Sequence, residues 1–370
     1  MAEKKIMLYC SSLVKGGTER VVVNLAGYLA GNGMQVVLVT QYCHEDEYEL
    51  PKGVIRIQSE LTDEEKSSKR VRNFFARYRK LRGIVKGQRP DCILSFIGKN
   101  NFMALLASFF TGIPVVVSVR GEPACEYPSA AMRFLAKTLF VKASGIVLQT
   151  KEAKAFFPRY LQKKAVILKN PLNPGFIREP FTGRRNGQIV SVGRVDGNKN
   201  HEMLIRAFAQ VAEEFPEASL AVYGEGECRE RLNILAGQLG LSQRISLPGA
   251  VSDVPDRIMQ SSVFVLCSNS EGMPNALLEA MCLGIPCIST DCPCGGPAEL
   301  ITDGENGFLI PVGDMEALAD RLCLLLGDEK KAAEMGKRAS ALLEDYRPET
   351  VNRQWQEYLL SRVGGNACVE

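Results

Sequence analysis

Two successive series of short apolar runs, each run followed by a turn and a helix-like segment, constrain the fold of this chain more than any other feature. The runs are the length of buried strands and are too short to be helices. Strands that alternate with helices form parallel sheets, because each crossover helix returns the chain to the same end of the sheet. The chain is therefore predicted to be an α/β protein with two doubly wound parallel sheets. The first series predicts strands at 6–11, 35–40, 91–96, 115–119 and 145–148, and the second at 189–192, 219–223, 245–247, 263–267 and 285–289.

The length of the chain fits two domains. At 370 residues it is too long for one hydrophobic core of ordinary size. The two series are separated by Asn170-Pro171 and Asn173-Pro174, where each proline forces the preceding residue into an extended conformation, and by a polar stretch at 182–188. We predict a first domain at 1–180, a second domain at 181–348 and a terminal helical segment at 349–370.

The segment 269–281, NSEGMPNALLEAM, is the strongest candidate for a ligand site. It follows a strand-like run and continues into residues with high helix propensity. Gly272 lets the backbone approach a ligand closely, and Pro274 suits the first helical position because it lacks an N–H. The first helix amides then face outward at the positive end of the helix dipole, which is a site for an anion. These amides belong to Asn275, Ala276 and Leu277.

Two carboxylates bracket this anion site. Glu271 lies in the turn, and Glu279 lies about one turn inside the predicted helix. A carboxylate beside an anion site accepts hydrogen bonds from hydroxyl groups or carries charge in a reaction. The combination indicates a ligand that has both a diphosphate and sugar hydroxyls.

Two further turns between a strand and a helix carry residues suited to phosphate. Gly16 and Gly17 follow the first strand and leave backbone amides at a phosphate-sized gap. This turn is not a G-x-G-x-x-G fingerprint, and no acidic residue stands at the expected position after the next strand, 35–40, which disfavours a nicotinamide enzyme. In the second series, Arg194 and Lys199 lie on either side of the turn after 189–192. Both are predicted to reach one diphosphate, as a planar fork and a flexible point charge.

The block 271–286, EGMPNALLEAMCLGIP, resembles the signature of the retaining glycosyltransferases of family four. The resemblance implies the GT-B fold, in which two Rossmann-like domains face each other across a cleft and a terminal helix crosses back to the first domain. It further implies that Glu271 contacts the donor sugar, that Glu279 contacts the ribose, and that Arg194 and Lys199 hold the pyrophosphate. Turns of both domains complete the implied donor-binding set: Gly16, Gly17, Gly193, Gly224, Ala250, Val251, Gly272, Met273 and Pro274.

The sequence departs from the family pattern at Arg120. Many family members have a histidine near this position, at the carboxyl end of a strand of the first domain. Arg120 is a permanent cation with a planar guanidinium group. We include it among the donor-binding residues, where it would contact the donor or the leaving phosphate, with orientation of the loop as the alternative role.

Composition excludes several other classes. The chain has 45 basic and 42 acidic residues, so its charge gives no general case for nucleic-acid binding. Its twelve cysteines lie mostly in apolar segments, and the sequence begins with MAEKK directly before a strand, without a secretory leader. A cytoplasmic protein with free thiols is therefore expected. The cluster of Cys282, Cys287, Cys292 and Cys294 lacks paired C-x-x-C spacing, and a zinc site is not predicted.

Residues 66–89 are crowded with Lys and Arg, and apolar residues recur among them at helical spacing. This pattern predicts a basic amphipathic helix that contacts the anionic cytoplasmic leaflet of a membrane. The alternative is a packed helix whose charged face is solvated.

The predicted activity is transfer of a hexose or an N-acetylhexosamine from a nucleotide sugar to a glycan or polyprenyl-diphosphate-linked glycan acceptor, and the expected nucleotide is UDP. The phrase TDCPCGGPAELI at 290–301 resembles enzymes that build bacterial exopolysaccharide, lipopolysaccharide and capsule. Retention of anomeric configuration is implied by the family alone. No Asp-x-Asp metal motif is evident, and no metal or cofactor is expected. The alternatives are a nucleotide-sugar epimerase of the same fold and a non-catalytic nucleotide-sugar-binding protein.

Overall fold

The computed structural model describes residues 3–67 and 69–364. They form two compact units: one contains the chain up to Pro171 and from Glu349 on, and the other contains Leu172–Pro348. The sequence places the boundary later, at residue 180. The segment in between is tied to the second unit, since Phe176 is buried in its core and the Leu172 amide donates to the carbonyl of Tyr346 at 2.9 Å.

The first unit is a seven-stranded sheet with helices. Every strand pair in it is parallel, and the strand order is β3-β2-β1-β4-β5-β6-β7. The central strands are apolar because they are covered on both faces. The strands are β1 Lys5–Cys10, β2 Gln35–Thr40, β3 Val54–Gln58, β4 Cys92–Phe96, β5 Val115–Ser118, β6 Gly145–Leu148 and β7 Ala165–Ile167. The helices are α1 Gly17–Gly31, α2 Asp63–Lys66, α3 Arg70–Gln88, α4 Gly98–Ala107, α5 Pro123–Glu126, α6 Ala130–Leu139, α7 Lys151–Ala155 and α8 Arg159–Gln162.

The second unit is a six-stranded parallel sheet in the order β10-β9-β8-β11-β12-β13. Two buried apolar clusters form its core, one of which contains the helix after β8 and the other the helix after β11. The strands are β8 Gln188–Val192, β9 Ser219–Tyr223, β10 Ile245–Gly249, β11 Val263–Leu266, β12 Cys287–Thr290 and β13 Phe308–Ile310. The helices are α9 His201–Glu214, α10 Arg229–Gln238, α11 Val254–Ile258, α12 Asn275–Cys282, α13 Met315–Gly327, α14 Glu329–Ser340 and α15 Leu342–Tyr346.

The last helix, α16 Pro348–Leu360, returns to the core of the first unit. Trp355 is fully buried there beside Phe96, with ring centroids 6.4 Å apart. Its indole N–H donates to the carbonyl of Lys169 at 3.0 Å, so the polar end of the ring is satisfied. The two parallel sheets confirm the predicted α/β fold with two Rossmann-like units.

The predicted basic helix at 66–89 is divided in two. A capping box between Thr62 and Glu65 starts α2, and α3 begins only at Arg70. The long α3 buries two of its residues, Leu81 and Val85, both in its second half.

Candidate active site

The predicted donor residues of the second unit gather where its strand order reverses. From β8 the chain proceeds outward through β9 and β10, and then returns to the other side of β8 with β11. The loops after β8 and β11 therefore diverge from neighbouring strands at the same edge. In open α/β sheets this switch point forms a crevice that binds ligands.

Three hydrogen bonds join these two loops. The Asn269 amide donates to the carbonyl of Asn198 at 2.8 Å, and the Asn198 side chain donates to the carbonyl of Ser270 at 3.0 Å. The Asn269 side chain also donates to the carbonyl of Gly197 at 3.1 Å. Neither asparagine has a role predicted from the sequence. Their position in adjacent turns fixes the loops before any ligand arrives.

Lys199 and Glu271 form an ion pair across the joined loops. The Lys199 Nζ lies 2.5 Å from the Glu271 Oε1, and the two side chains are 14% and 13% exposed. The backbone amide of Lys199 donates to Asp196 Oδ1 at 3.1 Å, which fixes the base of its side chain. An ammonium has three donors, so this pair leaves Lys199 further donors for a phosphate.

Arg194 belongs to the same loop and remains accessible. Its side chain is 78% exposed and lies 3.2 Å from Asp196 Oδ2. The carboxylate of Asp196 thus contacts both Arg194 and the backbone of Lys199. An exposed guanidinium on a fixed loop is suited to closing over a diphosphate.

The turns after β8, β9 and β10 are joined through glycines. The amide of Gly193 donates to Tyr223 at 3.0 Å, and the amide of Gly224 donates to Gly249 at 2.9 Å. Gly224 has φ +145°, and a Cβ atom at this position would collide with the carbonyl oxygen of Gly193. Only glycine permits this approach of the turns. Two further predicted residues follow β10, where Ala250 is exposed and Val251 is partly buried.

Helix α12 starts in the crevice at Asn275, one residue later than predicted from Pro274. Pro274 occupies the N-cap position with φ −78° and ψ 96°. Its side chain makes no capping hydrogen bond to the first amides of α12. The turn before it is tightly packed, because a Cβ atom on Gly296 would collide with the carbonyl oxygen of Gly272. Glu279 is 5% exposed and lies about one turn inside the helix. Three other predicted residues occupy this segment in different environments: Met273 and Leu277 are buried, and Ala276 is partly buried.

His201 lies directly behind the loop that carries Lys199. Its Nε2 is 3.2 Å from Ser191 Oγ, and its Nδ1 has no hydrogen-bond partner among the described residues. Burial, followed by the charge of Lys199, lowers the pKa of His201 to about 4. The imidazole is neutral at neutral pH and adds no charge to the site. His201 was not predicted as a site residue. The one signal for it in the sequence is that histidine is rare, since the chain has two.

The predicted glycine turn of the first unit starts α1. Gly16 is the N-cap residue and Gly17 is the first helical residue. A Cβ atom on Gly16 would come within 2.5 Å of Glu19 Oε2, so the carboxylate of the first turn lies close to this glycine.

Arg120 is buried within the first unit. It is 6% exposed, and its guanidinium lies 5.9 Å from the ring centre of Phe96 and 5.8 Å from that of Trp355. One terminal nitrogen donates to Asn170 Oδ1, whereas Nε and Nη1 have no hydrogen-bond partner among the described residues. Burial lowers the pKa of Arg120 to about 10, against the favourable field of Glu126. The contacts of its side chain are with Asn170, Phe96 and Trp355, and the choice between a donor contact and orientation of the loop after β5 stays a prediction.

Glu126 holds that loop and was missed by the sequence analysis. Its carboxylate accepts backbone hydrogen bonds from Gly98 at 2.8 Å, Arg120 at 2.7 Å and Gly121 at 2.8 Å. Burial raises its pKa above the ordinary range, opposed by these three donors. Glu126 therefore links the start of α4 to the loop after β5.

Within residues 3–67 and 69–364 no group of three His, Cys, Asp or Glu side chains is placed to hold a metal ion. In the same part of the chain no helix is both long and apolar enough to cross a membrane.

Both units match models of glycosyltransferase domains. A glycosyl transferase 4-like domain matches residues 16–165, and glycosyl transferases group 1 match residues 178–341. A Campylobacter jejuni alpha-1,4-N-acetyl-D-galactosaminyltransferase, whose name includes a glycan on PP-undecaprenol, is 26% identical over 357 residues, 95% of this chain and 97% of the relative. The amylovoran biosynthesis glycosyltransferase AmsD of Erwinia amylovora is 25% identical over 351 residues, 93% of this chain and 96% of the relative.

Among solved structures, Anabaena HepE in complex with UDP has a TM-score of 0.81 at 19% identity, covering 97% of this chain and 100% of that one. This likeness shows the fold, which is GT-B with two Rossmann-like units. The two family matches lie one in each unit and include the turns described above. The chain therefore belongs to the group 1 glycosyl transferases, with a glycosyl transferase 4-like first unit.

Proposed function

We propose that this protein transfers a hexose or an N-acetylhexosamine from a UDP-sugar to a glycan or polyprenyl-diphosphate-linked glycan, with retention of anomeric configuration, in the synthesis of a bacterial surface polysaccharide. The observation that carries the proposal is the pair of Lys199 and Glu271 at the switch point of the second sheet. The names of the Campylobacter and Erwinia relatives support the acceptor class. The UDP bound to HepE supports the nucleotide.

The pair suits the two charges that develop when a sugar leaves a diphosphate. Negative charge grows on the leaving phosphate oxygen, where Lys199, Arg194 and the positive end of α12 stabilise it. Positive charge grows on the sugar ring, and Glu271 lies beside Lys199 to accept hydrogen bonds from the sugar hydroxyls. Because these residues are positioned before the donor binds, little reorganisation accompanies the reaction.

In this proposal the protein's own cations stabilise the leaving group, and no divalent metal is needed. Transfer is then expected to continue in the presence of EDTA. Retention is included because the resemblance of 271–286 to the retaining family-four enzymes implies it, and proton NMR of the first-formed product tests it through the coupling constant of the anomeric proton. An inverted product would contradict this part of the proposal.

We place the reaction at the cytoplasmic face of a membrane, where a polyprenyl-linked acceptor is available. None of the eleven described cysteines belongs to a disulfide, which is compatible with a reducing compartment. The basic helix α3 has seven Lys or Arg residues and no Asp or Glu, so it is suited to contact an anionic leaflet.

The donor site is tested by calorimetric titration of nucleotides into the wild-type protein, Lys199→Ala and Lys330→Ala. Lys330 is exposed at the start of α14 and serves as the control. UDP is expected to bind the wild type and the control equally and to bind Lys199→Ala at least 10-fold more weakly, since a hydrogen bond to a charged group contributes roughly 1.5–3 kcal/mol. Equal UDP affinity of all three proteins, or no nucleotide binding at all, would refute the assigned site.

A further inference from the structure

The first unit exposes an unusual amount of aromatic surface in one region. Five phenylalanines are exposed among the described residues, and all five lie on α3, on the turn after α4, or on α6. Scattered exposed apolar residues are common on soluble proteins, but a contiguous exposed set marks an interaction surface. These residues are Phe74, Phe75, Phe109, Phe110 and Phe134.

An apolar groove of about 420 Å³ lies among these segments. Tyr78 and Phe75 belong to its α3 wall, Leu105 to its α4 wall and Leu139 to its α6 wall. The C-terminal half of α3 is fixed beside α4, because Arg82 donates to the carbonyls of Ala107 and Phe109 at 2.9 Å each. The N-terminal half of α3 is left with its aromatic side chains exposed.

The turn after α4 holds a phenyl ring in solvent at a conformational cost. Phe110 is 91% exposed and has φ +63°, a left-handed conformation that bulky residues rarely adopt. Its ring stacks edge-on against Phe109, with centroids 4.2 Å apart. The fold thus keeps the Phe110 ring exposed beside the groove, although neither burial of the ring nor the backbone preference of phenylalanine favours this conformation in water.

The surroundings of the groove are cationic. The sequences of α3, α4 and α6 contain no Asp or Glu, and the same is true of residues 108–114 and 140–142. Lys142 lies in the groove wall with its Nζ 6.0 Å from the Phe109 ring centre. Arg72 and Arg79 are exposed on α3. Aromatic residues flanked by Lys and Arg are typical of surfaces that lie in a membrane interface.

We propose that this surface docks on an anionic lipid bilayer, with hydrocarbon chains in the groove and the surrounding cations on headgroup phosphates. The charge pattern selects this occupant over a second copy of the chain, because a two-fold dimer through the same face would place cations against cations. The inference rests on the proposed function in one respect: membrane docking would bring the enzyme to a lipid-linked acceptor. Its test uses vesicles alone and needs no glycosyl transfer.

Flotation with vesicles of phosphatidylglycerol and phosphatidylcholine tests the apolar part of the surface. The double variant Phe74→Ser/Phe75→Ser is compared with Ile234→Ser, because Phe75 and Ile234 are both 56% exposed and Ile234 lies on α10 of the second unit. We expect the double variant to bind at least 10-fold more weakly and the control to bind like the wild type. Thermal unfolding checks that both variants remain folded. Equal binding by all three proteins would overturn the apolar contact.

The charge reversal Arg72→Glu/Arg79→Glu tests the electrostatic part. It is expected to weaken binding to phosphatidylglycerol vesicles by at least 10-fold and to reduce the salt dependence. Unchanged binding would contradict contact between these cations and the headgroups.

A tryptophan reporter tests entry into the hydrocarbon. The chain has one tryptophan, and Trp355 is fully buried, so Phe75→Trp adds the first exposed indole. Lipids brominated on the acyl chains should quench Phe75→Trp strongly and the wild type little. Flotation without quenching would mean that the groove stays outside the hydrocarbon, which would contradict the proposed insertion. A dimer that forms without lipid and is broken by Phe74→Ser/Phe75→Ser would assign the surface to a second copy of the chain. Vesicle binding without UDP binding would instead refute the donor assignment and leave the membrane surface intact.

Discussion

At the scale of single residues, Lys199 and Glu271 are expected to act on different parts of the donor. UDP has the diphosphate but not the sugar, so Lys199→Ala should weaken UDP binding at least 10-fold, whereas Glu271→Gln should change it less than about 3-fold. Both variants should lose turnover of the UDP-sugar, by about 10²–10³ in kcat for Lys199→Ala. Because the pair is in contact, the double variant should lose less than the product of the single losses.

Titration calorimetry and initial rates on the four proteins measure this double-mutant cycle. Additive losses of turnover would contradict coupling between the two side chains. Equal weakening of UDP binding by both single variants would contradict the division of roles between phosphate and sugar.

His201 makes the stability of the second unit depend on pH. Its pKa is lowered to about 4 by burial, whereas an unfolded chain has the ordinary value of about 6.5. As pH falls through this window, the unfolded chain binds a proton that the native state does not, so stability decreases by up to about 3 kcal/mol. His201→Gln should show a smaller decrease between pH 7 and pH 4.

Other groups also titrate between pH 7 and pH 4. The quantity to compare is therefore the difference in the free energy of unfolding between the wild type and each variant, measured by urea unfolding at each pH. His44→Gln changes an exposed histidine of the first unit and serves as control. An identical pH dependence for the wild type and His201→Gln would contradict the expected role of burial.

At the scale of elements, the turns after β8 and β9 work as one unit because Gly224 meets Gly193. Gly224→Ala adds a Cβ atom against the Gly193 carbonyl and requires a disfavoured φ of +145°. We expect destabilisation of roughly 1–3 kcal/mol from the backbone strain alone and at least 10-fold weaker UDP binding, because the turns must separate. Gly237→Ala in α10 is the matched control, since its Cβ atom would have Ser242 Oγ at 3.6 Å as a neighbour and no positive φ to maintain.

Urea unfolding and UDP titration of the two alanine variants measure this effect. The control should be neutral or slightly stabilised, as expected for alanine in a helix. A Gly224→Ala protein with wild-type stability and affinity would mean that the two turns adapt without loss.

The elements that the sequence predicted best are those buried on both faces. The central strands are continuous apolar runs. The turns after them contain Gly, Pro or charged residues, which are typical of turns and of ligand sites. The edge strand β3 was missed because four of its five residues are exposed or only partly buried, so its sequence lacks an apolar run. The break before α3 was also missed, although Thr62 and Glu65 have the spacing of a capping box.

The sequence identified candidate site residues, but it did not predict their surroundings. Lys199 and Glu271 were identified from their turns, but their direct contact depends on two loops that are 72 positions apart in the chain. The burial of Arg120 between Phe96 and Trp355 depends on a helix from the other end of the chain, and periodicity within one segment cannot show this.

At the scale of the whole molecule, the chain leaves the first unit at Pro171 and completes its core only with α16. Trp355 belongs to that core, whereas the proposed UDP site lies in the second unit. The stability of the first unit is therefore expected to depend on a residue near the end of the chain, without a direct effect on the donor site. This separation makes the two units distinguishable in one unfolding experiment.

Trp355→Ala should destabilise the first unit by about 3–5 kcal/mol, because it empties a fully buried site and leaves the Lys169 carbonyl without its indole donor. Differential scanning calorimetry should show a lowered transition for that unit, while saturating UDP still raises the transition of the second unit by mass action. Leu360→Ala, at a half-exposed position of the same helix, should shift either transition little. If Trp355→Ala instead lowers a single transition that UDP raises as a whole, the two units unfold cooperatively, and the independence argued from their separate cores is wrong.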